Sequence, residues 1–143
     1  MKGPAGRGPL KREELDDLME QARDARDRSY APYSGFTVGA AVLSGSGEVF
    51  RAGNLENASY GLTVCAERNA IALMVASGRR DPVAMAIAGP AGVPCPPCGA
   101  CRQVLAEFNP TMAIILEDEA GGFEVLSLEY LFPRPFRLGE GGE

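Results

Sequence analysis

Two short, wholly apolar segments separated by a helical segment constrain the fold of this chain more than any other feature. Residues 83–88 and 112–116 contain no charged side chain. Residues 98–108 between them have a helical pattern that stops before Pro110. Short segments of this kind are typical of strands buried on both faces, which right-handed helical crossovers connect. The pattern therefore predicts a sheet with helices packed on both sides.

The rest of the chain extends this pattern in the order α-β-β-α-β-α-β-β-α. Apolar spacing predicts each helix, and Gly, Ser, Asn or Pro marks the turns. The predicted helices span residues 11–28, 64–77, 98–108 and 128–132, and the predicted strands span residues 38–43, 48–52, 83–88, 112–116 and 123–127. We expect an α/β fold, a three-layer α/β/α sandwich with a mixed, mostly parallel sheet whose first two strands form an antiparallel hairpin.

The length and composition fit one globular domain. The chain has 143 residues, of which 45% are hydrophobic and 23% charged. Gly and Pro are frequent in residues 1–10, and Gly is frequent in residues 137–143. We therefore expect flexible tails there and a single folded domain over residues 11–136.

Charge and hydropathy exclude two classes of partner. A net charge of −5 argues against nucleic acid, because that binding depends on cations that neutralise phosphates. The longest apolar run, residues 70–76, is far shorter than the ~20 residues of a membrane span. The N-terminus has no signal-peptide core. These features favour the cytoplasm, where thiols stay reduced.

The chain has four cysteines and no histidine, so a soft-metal site must be built from thiolates. Cys65 opens one predicted buried helix, and Cys98 and Cys101 lie one turn apart at the start of the next. Both helices are expected to begin at the edge of the sheet where ligand sites of open α/β folds gather. Three converging thiolates suit a catalytic zinc, which keeps a fourth position open.

Cys95 decides between an open and a closed metal site. It precedes Pro96 and Pro97, which prevent a helical turn from joining it to Cys98. We expect Cys95 in a loop, away from the metal, as a small buried side chain. The alternatives are a structural zinc site closed by all four cysteines and an iron–sulfur module, neither of which would be an enzyme.

Glu67 and Arg68 follow Cys65 in the predicted helix. A carboxylate inside an apolar helix is costly to bury without a partner, and a water molecule on the zinc would be such a partner. Three thiolates and Zn²⁺ carry a net charge of −1, which a guanidinium can offset by donating hydrogen bonds to sulfur. Glu67 is therefore the candidate general base, and Arg68 is a candidate partner of the metal ligands.

Four motifs in this order resemble those of the cytidine deaminases, which are zinc-dependent enzymes. The two cysteine signatures are Cys-Ala-Glu-Arg-Asn-Ala at 65–70 and Pro-Cys-Gly-Ala-Cys-Arg-Gln at 97–103. Residues 33–41 and 54–60 match two further motifs, and the resemblance extends from about residue 15 to residue 132. The chain differs from the usual family pattern at Gly35, Asn69 and Pro96, and these differences bear on fine substrate specificity.

The resemblance implies one Zn²⁺ per subunit and a role for each matching residue. It implies that Glu67 moves protons between water and the pyrimidine, and that residues 11–136 are a single catalytic domain. The implied zinc ligands are Cys65, Cys98 and Cys101; the implied substrate contacts are Phe36 with the pyrimidine, Asn54 and Glu56 with the sugar, and the backbone of Ala66 with the base edge. Resemblance to the short, three-cysteine members of the family implies a homotetramer. Phe132 and Phe136 are candidates for completing the site of a neighbouring subunit.

The expected function is therefore zinc-dependent hydrolysis of cytidine and deoxycytidine to uridine and deoxyuridine in pyrimidine salvage. The expected partner is a small nucleoside, not a nucleic acid or a membrane. An alternative is a deaminase of aminonucleoside antibiotics such as blasticidin S, whose enzymes share both cysteine signatures. Asn54 and Glu56 favour a plain nucleoside.

Overall fold

The computed structural model describes residues 8–139, in which five strands form one mixed sheet with helices on both faces. Residues 1–7 and 140–143 of the two predicted tails lie outside the described part of the chain. The helices are α1 (Arg12–Arg26), α2 (Ala66–Ala76), α3 (Gly99–Phe108) and α4 (Leu128–Leu131), and the strands are β1 (Gly39–Ser44), β2 (Val49–Gly53), β3 (Pro82–Ala88), β4 (Ala113–Glu117) and β5 (Phe123–Ser127). The predicted element order is confirmed.

The strand order is β2-β1-β3-β4-β5. Of the four pairings between neighbouring strands, only β3 with β4 is parallel. The expected α/β class and the mixed sheet are confirmed, but the expectation that most of the sheet is parallel was wrong. Strand β3 is antiparallel to β1, because the hairpin reverses the direction of the chain. The short turn after β4 reverses the direction again, so β5 is antiparallel to β4.

Two apolar clusters on opposite faces of the sheet explain the three layers. Alternate residues of β3 point to opposite faces, so Ala84, Ala86 and Ala88 pack with α1 while Met85 and Ile87 pack with the other helices. The cluster that contains Met85 and Ile87 also contains buried residues of α2, α3 and α4. Burial on both faces makes β3 apolar throughout, which explains the uniform pattern in its sequence.

Helix α1 lies unusually close to the end of the hairpin. A Cβ atom at Gly39 would lie 2.0 Å from the carbonyl oxygen of Ala22, and one at Gly53 would lie 2.7 Å from Cα of Ser29. These glycines therefore serve close packing between backbones. Gly39 also pairs with both Gly53 and Ala88 in the sheet. The ends of β2 and β3 consequently meet at one edge of the sheet, and α2 and α3 begin beyond that edge.

Candidate active site

Three cysteines from two helix N-termini converge at this edge. Cys65 is the N-cap of α2, Cys98 is the N-cap of α3, and Cys101 lies in the first turn of α3. Their Sγ atoms all lie within 4.8 Å of one another. The Sγ–Sγ distance is 3.9 Å from Cys65 to Cys98 and 3.5 Å from Cys98 to Cys101. The structure thus brings together the three residues that the sequence singled out.

The geometry and chemistry of this group fit zinc. Thiolates at about 2.3 Å from a tetrahedral Zn²⁺ lie about 3.8 Å apart, close to the spacings observed. Cys101 is buried, Cys65 is half-buried and Cys98 is exposed, so the group is reached from one side. Three soft ligands with a free approach match a metal site that keeps one coordination position for another molecule.

The surroundings of Cys65 favour its thiolate. The pKa of Cys65 is lowered to about 5, chiefly by a hydrogen bond from Cys101 and further by Arg68. An Nη atom of Arg68 lies 3.6 Å from Sγ of Cys65. Cys101, which donates to Cys65, has a raised pKa because of that same bond. The group therefore holds negative charge, and a guanidinium faces it.

Cys95 lies outside the group of three thiols. It is half-buried, packs against the apolar cluster on the α2 and α3 side, and lines the neighbouring cavity. Burial raises the pKa of its thiol to about 11, so it is protonated at neutral pH. Its close neighbour is Gly89, at which a Cβ atom would lie 2.8 Å from Cβ of Cys95.

Glu67 forms part of the wall of a cavity of about 410 Å³ beside the thiols. The residue is only 4% exposed. Burial raises the pKa of its carboxyl to about 7, with a smaller contribution from the charge of Cys65. A carboxyl that titrates near neutral pH can both accept and return a proton. The cavity is lined by Phe36, Val38, Asn54, Thr63, Cys65, Ala66, Glu67, Pro94, Cys95, Pro96 and Cys98.

Three of the four residues assigned to substrate by resemblance line this cavity. Phe36 is 48% exposed, Ala66 is buried at the start of α2, and Asn54 follows β2. Asn69 of α2 donates to the carbonyl oxygen of Gly53 at 3.0 Å and so connects α2 to the segment that carries Asn54. The structure thus places Phe36, Asn54 and Ala66 around one space.

Glu56 lies in an adjoining cavity rather than in the one beside the thiols. That second cavity is also about 410 Å³ and shares Thr63 with the first. Glu56 accepts backbone hydrogen bonds from Tyr33 and Ser34. Sequence reasoning did not find these contacts, nor did it find that Thr63 and Pro94 line the first cavity. The pattern of Pro and Gly in residues 89–97 predicted a loop there without indicating which way its residues face.

Comparison with known proteins agrees with this geometry. The family described as the cytidine and deoxycytidylate deaminase zinc-binding region matches residues 12–117. The cytidine deaminase of Halalkalibacterium halodurans is 47% identical over 120 residues, covering 83% of this chain and 91% of the relative. The cytidine deaminase of Sporosarcina psychrophila is 40% identical over 124 residues, covering 86% and 91%.

Solved structures show the same fold. The cytidine deaminase from Burkholderia pseudomallei has a TM-score of 0.81 at 43% identity, and the match covers 89% of this chain and all of that one. The enzyme from Mycobacterium tuberculosis has a TM-score of 0.78 at 35% identity, covering 87% and 98%. This chain belongs to the cytidine deaminase family and is a hydrolase of that type. Among the described residues, every helix is too short or too polar to cross a lipid bilayer.

Proposed function

We propose that this chain converts cytidine and deoxycytidine to uridine and deoxyuridine by hydrolysis, with one zinc ion per subunit, in cytoplasmic pyrimidine salvage. The observation that carries the proposal is the buried carboxyl of Glu67 in a cavity wall that also contains Cys65 and Cys98. The carboxyl of Glu67 and the thiols of Cys65 and Cys98 line one space of about 410 Å³, and this supports the proposal because the space is large enough for a small ligand.

Cys65, Cys98 and Cys101 would hold the metal through their Sγ atoms. Zinc bound there would supply a Lewis acid that makes water a stronger nucleophile at neutral pH. Arg68 donates to Cys65 and partly neutralises the excess negative charge of the three thiolates. The four proposed contacts with the substrate, at Phe36, Asn54, Glu56 and Ala66, are made by the chain itself.

Glu67 would carry out the proton transfers. Its carboxylate accepts a proton from the water molecule that attacks C4 of the pyrimidine and passes it to N3. A second proton from the same water then goes through Glu67 to the exocyclic amino group, and the C4–N bond breaks to release ammonia. Cytidine and water are thus converted to uridine and ammonia, and Glu67 ends in its starting state.

Recognition of the nucleoside would come from residues around the cavity. The ring of Phe36 offers an apolar face to the pyrimidine, and the start of α2 at Ala66 offers backbone groups to its edge. Asn54 and Glu56 would read a sugar hydroxyl. A carboxylate near the sugar disfavours a phosphate, so we expect nucleosides to be preferred over nucleotides.

The proposed assembly is a homotetramer, as the resemblance implies. Large apolar side chains are exposed around the cavities in the isolated chain, including Tyr60 at 76% and Leu62 at 65%. Tyr60 also makes an edge contact with Tyr33, with ring centroids 6.3 Å apart. Exposed aromatic residues are frequent at the centres of protein interfaces.

A deamination assay with a panel of substrates tests the proposed function. Ammonia release and the shift in ultraviolet absorbance are measured with cytidine, deoxycytidine, cytosine, CMP and blasticidin S. We expect efficient turnover of the two nucleosides. Cytosine should be a poor substrate because it lacks the sugar hydroxyl that Asn54 and Glu56 would bind, CMP because the Glu56 carboxylate would repel its phosphate, and blasticidin S because Asn54 and Glu56 favour a plain nucleoside. Comparable efficiency on cytosine and cytidine would remove the role of Asn54 and Glu56, and preference for blasticidin S would replace the proposed substrate.

A further inference from the structure

The loop that carries Phe36 is tied to the end of β2 by the side chain of Asn54. Nδ2 of Asn54 donates to the carbonyl oxygen of Phe36 at 3.0 Å. Oδ1 of the same side chain accepts from the N–H of Val38 at 3.0 Å. Asn54 therefore fixes the backbone on both sides of Thr37 and holds the C-terminal half of the loop.

The other half of the loop is tied to Glu56 through Ser34. Oε1 of Glu56 accepts from the N–H of Tyr33 at 2.9 Å and from the N–H of Ser34 at 3.2 Å. The hydroxyl of Ser34 donates to Oε2 of Glu56 and accepts from the N–H of Phe36 at 2.9 Å. These bonds lower the pKa of Glu56, and the Ser34 hydroxyl contributes most. Ser34 thus joins Glu56 directly to the backbone of Phe36.

This arrangement leaves Glu56 able to receive a substrate. A carboxylate has about four acceptor positions, and Tyr33 and Ser34 fill two on Oε1 and one on Oε2. One position on Oε2 stays free for another donor, such as a sugar hydroxyl. The Ser34 hydroxyl limits how the carboxylate can rotate, so it determines where that free position points.

We propose that Ser34 is a positioning residue for the nucleoside, because its hydroxyl holds the Glu56 carboxylate and the Phe36 backbone in one arrangement. The inference rests on the proposed function, in which Phe36 meets the pyrimidine and Glu56 meets the sugar. Ser34 lines the adjoining cavity with Glu56 and not the described wall of the cavity beside the thiols, and its hydroxyl is engaged by Glu56 and by the N–H of Phe36. Ser34 therefore acts through these two residues. Its loss should therefore weaken substrate binding and leave the proton transfers intact.

Steady-state kinetics of Ser34→Ala, Ser34→Thr and Ser46→Ala on cytidine test this role. Ser34→Ala removes the hydroxyl, and we expect KM to rise about three- to tenfold, as for the loss of one or two hydrogen bonds, with kcat nearly unchanged. Ser34→Thr keeps a hydroxyl and should restore KM. Ser46→Ala is the matched control, since Ser46 is an exposed serine that donates to Glu48 at 3.1 Å in the hairpin turn; both constants should stay at wild-type values.

Amide hydrogen exchange at Phe36 gives a second readout that needs neither substrate nor metal. Its N–H should exchange faster in Ser34→Ala, and Ser34→Thr should restore its protection, because the N–H donates to the serine hydroxyl. An unchanged KM in Ser34→Ala, or a loss of kcat that Thr does not restore, would overturn the inference. A wild-type enzyme without activity on cytidine would contradict the proposed function instead, and exchange at Phe36 would still decide whether Ser34 holds the loop.

Discussion

At the scale of single residues, Glu67 has the most demanding proposed role. Glu67→Gln keeps the size of the side chain but cannot accept a proton, so turnover of cytidine should fall at least about 10⁴-fold. Zinc content, fold and cytidine affinity should change little, because Glu67 is not a proposed metal ligand. Single-turnover deamination, cytidine binding and zinc stoichiometry are measured on one preparation.

The matched control for Glu67 is Glu107→Gln in the last turn of α3, where the side chain is exposed. This change should leave the rate unaltered. A Glu67→Gln enzyme that kept more than about a tenth of the wild-type rate would be incompatible with the proposed mechanism, since a positioned acid–base group contributes at least about 10²-fold.

Arg68 is expected to act on the metal ligands and not on the substrate. Arg68→Gln removes the donor that lies 3.6 Å from Sγ of Cys65, so kcat should decrease while zinc is retained and KM changes little. Arg79→Gln is a suitable control, because Arg79 pairs with Asp81 at 2.8 Å on the protein surface. An effect of Arg68→Gln confined to KM would place its side chain at the substrate.

The sequence predicted the convergence of the three thiols better than it predicted the contacts around Glu56. Cys98 and Cys101 are neighbours on one helix turn, and their spacing alone brings the thiols together. Glu56 and Ser34 are 22 residues apart, so their hydrogen bonds depend on how two loops meet in space. The sequence contains no local pattern for such a contact.

At the scale of secondary-structure elements, the packing of α1 on β1 determines the position of the hairpin. Gly39→Ala would place a Cβ atom 2.0 Å from the carbonyl oxygen of Ala22 and 2.3 Å from the backbone nitrogen of Arg26. Backbone atoms cannot move aside as a side chain can, so we expect a destabilisation of at least about 1–3 kcal/mol. Chemical denaturation at equilibrium measures the change.

Gly8→Ala is the control for Gly39→Ala, because no heavy atom beyond its chain neighbours lies within 4 Å of the position of its added Cβ. It should leave the free energy of unfolding nearly unchanged. Equal stability of Gly39→Ala and the wild type would show that α1 and β1 are not packed as closely as described.

The elements were predicted from periodicity, but the directions of the strands were not. A continuous apolar run indicates burial on both faces, and this is the property that β3 and β4 share. Helices on both sides produce that burial whether neighbouring strands are parallel or antiparallel. The turn at residues 118–122 is too short for the crossover that a parallel β5 would need, and this turn was the available signal.

At the scale of the whole molecule, we expect four copies to associate. Light scattering after size exclusion should give four times the chain mass of 15.1 kDa. Tyr60→Ser and Leu62→Ser should weaken association, since both side chains are more than half exposed in the single chain. A fully active monomer at micromolar concentration would contradict the proposed assembly and any contribution from Phe132 or Phe136 of a neighbouring subunit.

The zinc content per chain tests the central claim most directly, because the proposal depends on an open site of three thiolates. Metal is quantified after gel filtration in the wild type, Cys65→Ala and Cys95→Ser, with cytidine deamination measured on the same fractions. We expect one zinc and full activity in the wild type and in Cys95→Ser, and loss of both in Cys65→Ala, since two thiolates hold zinc poorly. Loss of zinc from Cys95→Ser would instead indicate a site closed by four cysteines, and the proposed mechanism would then be wrong.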